Sequence, residues 1–356
     1  MKKNVLHIIN ALTPDGAENL LVNSLAAGGL QEYTNNVLVY FRGTSPIENR
    51  IDAAVKVICL DYKGIFDLPR ALLKLRKIIK EHKIELVHSH LNPASFYTYL
   101  CCPPNVPQVH TMHTIYSMNT QTPRIKLYLE KVLYLTKKSC NLIFLTDYAK
   151  EDFLKSVSFK GRSFVLNNFI QDDYFKDTAK VYAADSCVLK IVAVGRLVKL
   201  KNFEYLLEAF SYLKDREIYL DIYGAGDIAG FEKQISATGI KVRMMGHSYE
   251  LDKKFTNYDL FIMPSKYEGF GLALFEAMAA GVPAMASNIA PLKSIAKDNA
   301  IYFDLDNAEA LATAIIQIFE KKTDINSLAK KAQGYAEKTV RRDIYIKKLL
   351  EIYGKL

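Results

Sequence analysis

The sequence predicts an α/β chain built as two doubly wound, Rossmann-like parallel-sheet domains, and three observations carry that prediction. Short apolar runs alternate with helical patterns along most of the 356 residues. The alternation lapses once, in a polar, acidic and aromatic stretch from Asn167 to Cys187, and then restarts. The length agrees, since a typical domain of about 150 residues divides the chain into two.

In the first half, strands are expected at Val5 to Asn10, Asn36 to Phe41, Val55 to Leu60, Glu85 to Ser89, Gln108 to Thr111 and Asn141 to Leu145. Helices are expected between them at Ala17 to Ala27, Leu68 to Glu81, Pro93 to Cys101, Arg124 to Lys137 and Asp147 to Ser156. This βαβ order places helices on both faces of a mostly parallel sheet and ligands at the carboxyl ends of the strands. The second half repeats it, with strands at Leu189 to Val194, Ile218 to Tyr223, Val242 to Met245, Leu260 to Met263 and Pro283 to Ala286. Its helices are read at Asn202 to Leu213, Leu272 to Ala280 and Ala308 to Phe319, and the helical run Ile325 to Tyr353 has no strand partner. The expected division is 1–170, a linker at 171–187, a second domain at 188–335 and a final helix at 336–356.

Composition narrows the function. Hydrophobic residues make up 50% and charged residues 24%, which excludes disordered, collagenous and coiled-coil classes. Five cysteines without a CxxC pair indicate neither a zinc knuckle nor a disulfide scaffold, and fit a reducing, cytoplasmic setting. Met1 to Leu12 has the look of a signal peptide, but His7 and Asn10 interrupt it, so it reads as the first strand. No run reaches the ~18 apolar residues of a membrane-spanning helix. Of the formal net charge of +9, residues 1–180 carry 23 basic and 16 acidic side chains, or +7, and 181–356 carry +2. The first half is thus expected to face something anionic.

The richest stretch is Met263 to Ala286, MPSKYEGFGLALFEAMAAGVPAMA. A strand ends at Met263, a turn holds Glu268, Gly269, Phe270 and Gly271, and a helix opens near Leu272. Its first free amides make a site for a phosphate or sugar oxygen. A carboxylate in the turn can bind sugar hydroxyls, and Glu276, about one turn inside the helix, can accept from the two cis hydroxyls of a ribose. Arg196, at the end of another strand, and Lys201, at the start of the following helix, can stabilise a departing diphosphate without a metal. In the first half, Gly16 joins the first strand to the first helix and can offer a backbone amide to the same anion. His110 and His113 are three apart, so they face opposite sides, and His113 is taken as the one that reaches a ligand. His88 and His90 read as structural histidines, and no metal site is expected.

These residues resemble the GT-B glycosyltransferases, in particular the retaining family 4 group that uses nucleotide-sugar donors. Arg196 and Lys201 match that family's diphosphate-binding cations, and Glu268 to Glu276 match its E-x7-E signature within EGFGLALFEAMAAGVP. The resemblance implies two facing domains, an acceptor-side one at 1–170 and a nucleotide-sugar-binding one at 188–335, with the 336–356 helix crossing back to the first. It implies that Glu268 contacts the donor sugar, Gly269 to Leu272 supply amides to sugar and phosphate, Glu276 holds the ribose, Gly16 lies against the diphosphate and His113 touches the sugar. The family commonly has two adjacent glycines in its first loop; here the first is Asp15, at the acceptor-side wall. The implied reaction is metal-independent retaining transfer of a hexose from a nucleotide diphosphate sugar, UDP in preference to GDP, to an acceptor hydroxyl. It requires no cofactor, and the implied setting is cell-surface polysaccharide or glycolipid assembly.

Thr122 to Ser139 interleaves basic and apolar residues, which suggests peripheral association with an anionic membrane that carries a lipid-linked acceptor, at the inner face of the cell membrane. Its other reading is a core helix with a basic edge. A glycan is the alternative acceptor, and no nucleic-acid partner is expected. Rival functions are a GT-B-like nucleotide-sugar epimerase and a non-catalytic nucleotide-sugar-binding protein. A dehydrogenase would use Gly224, Gly226 and Gly230, but the next strand ends without the acidic residue that holds an adenine ribose. The DxD of Asp304 to Asp306 suits a metal-dependent transferase, yet Asp306 with Glu309 reads as a capping box for the helix at Ala308.

Overall fold

The apolar runs of the first half close into one parallel sheet. In a computed structural model of the protein, which describes residues 2–117 and 140–356, the first unit comprises Met1–Phe169 and Arg342–Leu356. Its strands are β1 (Lys3–Ile9), β2 (Thr34–Tyr40), β3 (Lys56–Cys59), β4 (Leu86–His90), β5 (Gln108–Met112), β6 (Cys140–Phe144) and β7 (Ser163–Val165). They lie in the order β3-β2-β1-β4-β5-β6-β7. The β1–β4 register pairs His7 with His88, and the β4–β5 register pairs His90 with Thr111. Helices α1 (Gly16–Ser24), α2 (Leu68–Glu81), α3 (Ala94–Cys101) and α4 (Asp147–Ser156) connect the strands. Thr146 caps α4 by accepting the Ala149 amide at 3.0 Å. The expected helix at Arg124 to Lys137, and the Thr122 to Ser139 membrane segment with it, lie outside the described residues.

Strand alternation sorts the core into two layers. Leu6, Ile8 and Val87 pack under α2 and α3, against Ala71, Leu75, Ile79 and Tyr97. Val5, Ile9, Leu86 and Val109 pack on the other face with Leu20 and Leu21 of α1.

The second unit, Ile170–Arg341, holds β8 (Leu189–Val194), β9 (Ile218–Tyr223), β10 (Val242–Gly246), β11 (Leu260–Met263), β12 (Ala284–Ser287) and β13 (Ile301–Phe303) in the parallel order β10-β9-β8-β11-β12-β13. Its helices are α5 (Phe203–Ser211), α6 (Ile228–Thr238), α7 (Leu251–Lys254), α8 (Leu272–Ala279), α9 (Ala290–Ala296), α10 (Ala308–Phe319) and α11 (Ile325–Thr339). One sheet face packs Leu189, Ile191, Leu220 and Ile262 against Phe210 of α5 and Leu311 and Ile315 of α10. Residues 171–187, read as a linker, are wound onto this unit: the Lys180 amide donates to Gly281 O at 2.8 Å, and Tyr182 enters the core.

The single long helix read from Ile325 to Tyr353 is two helices, because the chain turns at Val340 and Arg341. The second, α12 (Arg342–Gly354), belongs to the first unit and begins six residues later than the expected 336. Its Tyr345, Ile346, Leu349 and Tyr353 join the β1 and β4 core layer. The capping box at Asp306 is also corrected. Helix α10 starts at Ala308 as expected, but Asn307 and not Asp306 immediately precedes it, so Asn307 is the cap and accepts the Ala310 amide at 2.9 Å. Asp304 is occupied locally, accepting from Asn288 Nδ2 at 2.7 Å. The fold class is the one expected, two doubly wound Rossmann-like units.

Candidate functional site

A doubly wound sheet opens a crevice where its strand order reverses, at the carboxyl ends of the two strands that flank the reversal. In the second unit these are β8 and β11. The loops that follow them carry Arg196 and Lys201 on one side and Glu268 to Gly271 on the other, and the Lys266 amide ties them together by donating to Leu200 O at 2.9 Å.

Glycines let these loops approach. A Cβ on Gly224 would stand 1.8 Å from Gly195 O, and one on Gly226 would stand 2.6 Å from Leu197 Cβ. The glycine run considered for a dinucleotide thus packs the β9 loop on the β8 loop. Gly271, at φ +84, caps the start of α8, where a Cβ would meet Leu292 at 2.8 Å. No side chain caps that helix start.

Lys201 Nζ donates to Glu268 Oε1 at 2.5 Å, and Ser265 Oγ donates to the same oxygen at 2.7 Å. Ser265 is anchored in turn, because Ser287 Oγ donates to its carbonyl at 2.6 Å. Glu268, Ser265 and Ser287 are all buried, so the carboxylate has few alternative orientations. Ser265 and Ser287 escape sequence reasoning; the only signal for Ser265 is its place three residues before Glu268. Arg196 stands exposed on the β8 loop. Phe270 turns its ring into the core, stacked on Phe275 with centroids 5.2 Å apart, so its backbone alone is left to meet a ligand.

Glu276 lies on α8, half-buried, and loss of hydration pushes its pKa up to about 7. Tyr174, in the segment before β8, is influenced by the same carboxylate: burial first, then the charge of Glu276, raise its phenol. With Ser265 and Ser287, it is the third neighbour of the site that the sequence did not single out.

In the first unit the order reverses between β1 and β4. Gly16 is exposed as the first residue of α1, where the cap residue, Asp15, makes no side-chain cap bond. His113 follows β5, and burial lowers its pKa to about 4. The opposite facing of the two histidines is observed: His110 stacks on Tyr99 at 5.1 Å, whereas His113 Nε2 meets His90 Nδ1 at 3.4 Å. His88 and His90 have a third companion, His7, and one ring nitrogen from each lies within 4.8 Å of the others. His88 is held on both sides, by the Tyr353 hydroxyl at 2.6 Å and Thr111 Oγ1 at 2.7 Å. His7 contacts Asn36 Oδ1 at 3.2 Å. Burial lowers the pKa of all three, that of His7 to about 4, which favours a neutral polar inlay within the core layer.

Two parallel-sheet units, the second with a cation and carboxylate cluster beside an uncapped helix start at its switch point, fit the GT-B glycosyltransferase class, and comparison with known proteins supplies the assignment. Residues 5–174 match the family model described as Glycosyltransferase Family 4, and residues 176–339 match Glycosyl transferases group 1. The chain belongs to the GT-B glycosyltransferases. It is 23% identical over 317 residues to the UDP-Gal:alpha-D-GlcNAc-diphosphoundecaprenol alpha-1,3-galactosyltransferase of Escherichia coli, covering 82% of this chain and 81% of that one. Among solved structures, a glycosyltransferase from Rickettsia africae superposes with a TM-score of 0.83 at 20% identity, over 99% of this chain and 98% of that one. HepE from Anabaena, in complex with UDP and glucose, gives 0.81 at 16% identity, over 99% and 100%. No described helix is long and apolar enough to cross a membrane.

Proposed function

We propose that the protein is a retaining, metal-independent hexosyltransferase that moves a sugar from a UDP-sugar to a hydroxyl of a glycan or lipid-linked acceptor, in cell-surface polysaccharide or glycolipid assembly. The observation that carries the reading is the Lys201–Glu268–Ser265 cluster beside Gly271 at the second unit's switch point. In this reading Arg196 and Lys201 take the charge that builds on the departing diphosphate, with the amides of Gly271 and Leu272. Glu268 and the backbone of Gly269 and Phe270 hold the donor sugar, and Glu276 holds the ribose. Gly16 and His113 are the first unit's proposed contribution to diphosphate and sugar.

Retention then follows from attack on the face the leaving group departs from, with the phosphate oxygen helping to take the acceptor proton. Catalysis rests on positioning and charge stabilisation, with no dedicated protein base. The substrates in the name of the E. coli relative support a UDP-sugar donor and a lipid-linked acceptor; in this reading the work is done at the inner face of the cell membrane.

A panel of UDP- and GDP-sugars scored by thermal stabilisation identifies the donor. Its slow hydrolysis, unaffected by EDTA, separates a transferase from a silent binder, and NMR of the product's anomeric proton reads the stereochemistry. Stabilisation by no nucleotide sugar, or loss of turnover in EDTA, refutes the proposal.

A further inference from the structure

Among the described residues, the one side-chain hydrogen bond of His113 is to His90, with His113 Nε2 3.4 Å from His90 Nδ1. His90 ends β4, two residues after His88, so both rings stand on one face of the sheet. Their centroids are 4.1 Å apart, and His88 is itself clamped by the Tyr353 hydroxyl and Thr111 Oγ1. The buried His90 ring is therefore packed in place. Its other nitrogen, Nε2, is buried and meets no hydrogen-bond partner among the described residues. Burial lowers the pKa of both rings, that of His113 to about 4, so at neutral pH each carries a single ring proton.

Two neutral imidazoles that meet nitrogen to nitrogen need one N–H and one lone pair between them, which leaves two arrangements. If His113 gave the proton, His90 would hold its own on Nε2, a buried N–H with nothing to accept it, and His113 would keep a bare Nδ1 for its ligand. If His90 gives it, the unpaired atom is a lone pair, and His113 keeps Nδ1–H. Buried N–H groups without a partner are rarer than under-satisfied acceptors. A sugar oxygen beside a diphosphate is also better met by a donor than by a second lone pair.

We propose that His90 is a positioning residue: its Nδ1–H donates to His113 Nε2, fixes that ring and its tautomer, and leaves His113 Nδ1–H as the donor to the sugar. The ligand in this inference rests on the proposed sugar transfer, whereas the proton arrangement rests on the first unit alone. A separation of 3.4 Å is long for such a bond, as contacts of this kind are in enzyme sites before substrate arrives.

The test is NMR of the full chain with isotope-labelled histidine rings, which reads the nitrogen that carries each proton, beside UDP release from UDP-glucose and UDP-galactose and calorimetry with UDP. His113→Ala identifies the His113 signals. The wild type is expected to hold the proton on Nδ1 in both His90 and His113. His90→Leu removes the donor, so the His113 proton should spread onto Nε2 and UDP release should fall about 3- to 10-fold, with the affinity for UDP unchanged. His90→Asn keeps an amide donor on the same branch of the side chain and should recover the tautomer and most of the lost rate. In a His113→Ala background, His90→Leu should alter the rate by less than about twofold, because a residue that acts through His113 then has nothing to hold. A wild-type His113 proton on Nε2, equal losses in the Asn and Leu variants, or an undiminished loss in the His113→Ala background overturns the proposal. The reverse tautomer in a chain that binds UDP and cleaves a UDP-sugar overturns it while leaving transfer standing, whereas the expected tautomer in a chain that binds no UDP upholds the histidine pair and counts against transfer.

Discussion

Replacing Ser265 by Ala tests whether Glu268 must be held in place to work. The substitution removes one of the two donors on Glu268 Oε1, at 2.7 Å, and leaves Lys201 at 2.5 Å. It does not disturb the Ser287 tether, which ends on the Ser265 carbonyl. A hydrogen bond to a charged group contributes about 1.5–3 kcal/mol. At about 1.4 kcal/mol per decade, a carboxylate that loses this much of its preference for one orientation should lower kcat/KM about 10- to 100-fold. The loss should fall on kcat, with the affinity for UDP unchanged, because Glu268 is assigned to the sugar and not to the nucleotide. Initial rates with a saturating donor and calorimetry with UDP measure the two halves. A kcat within about twofold of the wild type refutes the positioning argument, and a matched loss of UDP affinity moves Glu268 away from the sugar.

Arg196→Ala and Lys201→Ala should each lower turnover by about 10²–10³-fold, and rates that survive neutralisation of both remove the leaving-group assignment. Glu276, with a pKa near 7 when folded against an ordinary 4.5, gives up its proton more readily in the unfolded chain. Its stability contribution is therefore present below about 4.5 and lost as pH rises through 7, a cost of up to about 3 kcal/mol. Glu276→Gln should accordingly raise the melting temperature at pH ~8 and not at pH ~4, and weaken UDP binding at both; a destabilised variant at the higher pH contradicts the assignment. His7, lowered to about 4 from 6.5, has the reverse sense. The unfolded chain takes up its proton first, so stability is whole above about 6.5 and about 2 kcal/mol poorer at pH ~5 from His7 alone. His88 and His90 shift in the same direction. Faster hydrogen exchange of β1 and β4 amides at pH ~5, after correction for intrinsic rates, is the readout, and unchanged protection removes the neutral inlay.

The strands clearest to sequence patterning are those buried on both faces, such as β1, β4, β8 and β11, where continuous apolar runs leave little choice; the edge strands β3 and β10 were also long enough to be read. The two it missed, Ser163–Val165 and Ile301–Phe303, are three-residue edge strands, too short to show a period. Helices α6 and α9 escaped for different reasons: α6 buries Phe231 alone, whereas α9 buries Pro291, Leu292, Ile295 and Ala296 but is only seven residues long, too short to show a helical period. Arg196, Lys201, Glu268 and Glu276 could be picked out as candidates because charged residues beside apolar runs stand out and because they match the family's cations and E-x7-E signature. Ser265 was not, because a serine acquires its role only from the carboxylate it touches. The partnership of His7 with His88 and His90 depends on β1 lying beside β4, a pairing between segments some eighty residues apart that no local pattern records.

Helix α12 has a consequence for biosynthesis. The first unit is interrupted in sequence, and the face of its sheet that holds Val5, Ile9 and Leu86 is covered by side chains from residues 345–353. A ribosome delivers those residues after the whole of the second unit, so this face of the amino-terminal sheet cannot acquire its native cover until the end of the chain has been made. A gene fragment that stops at Phe169 would leave that face permanently uncovered.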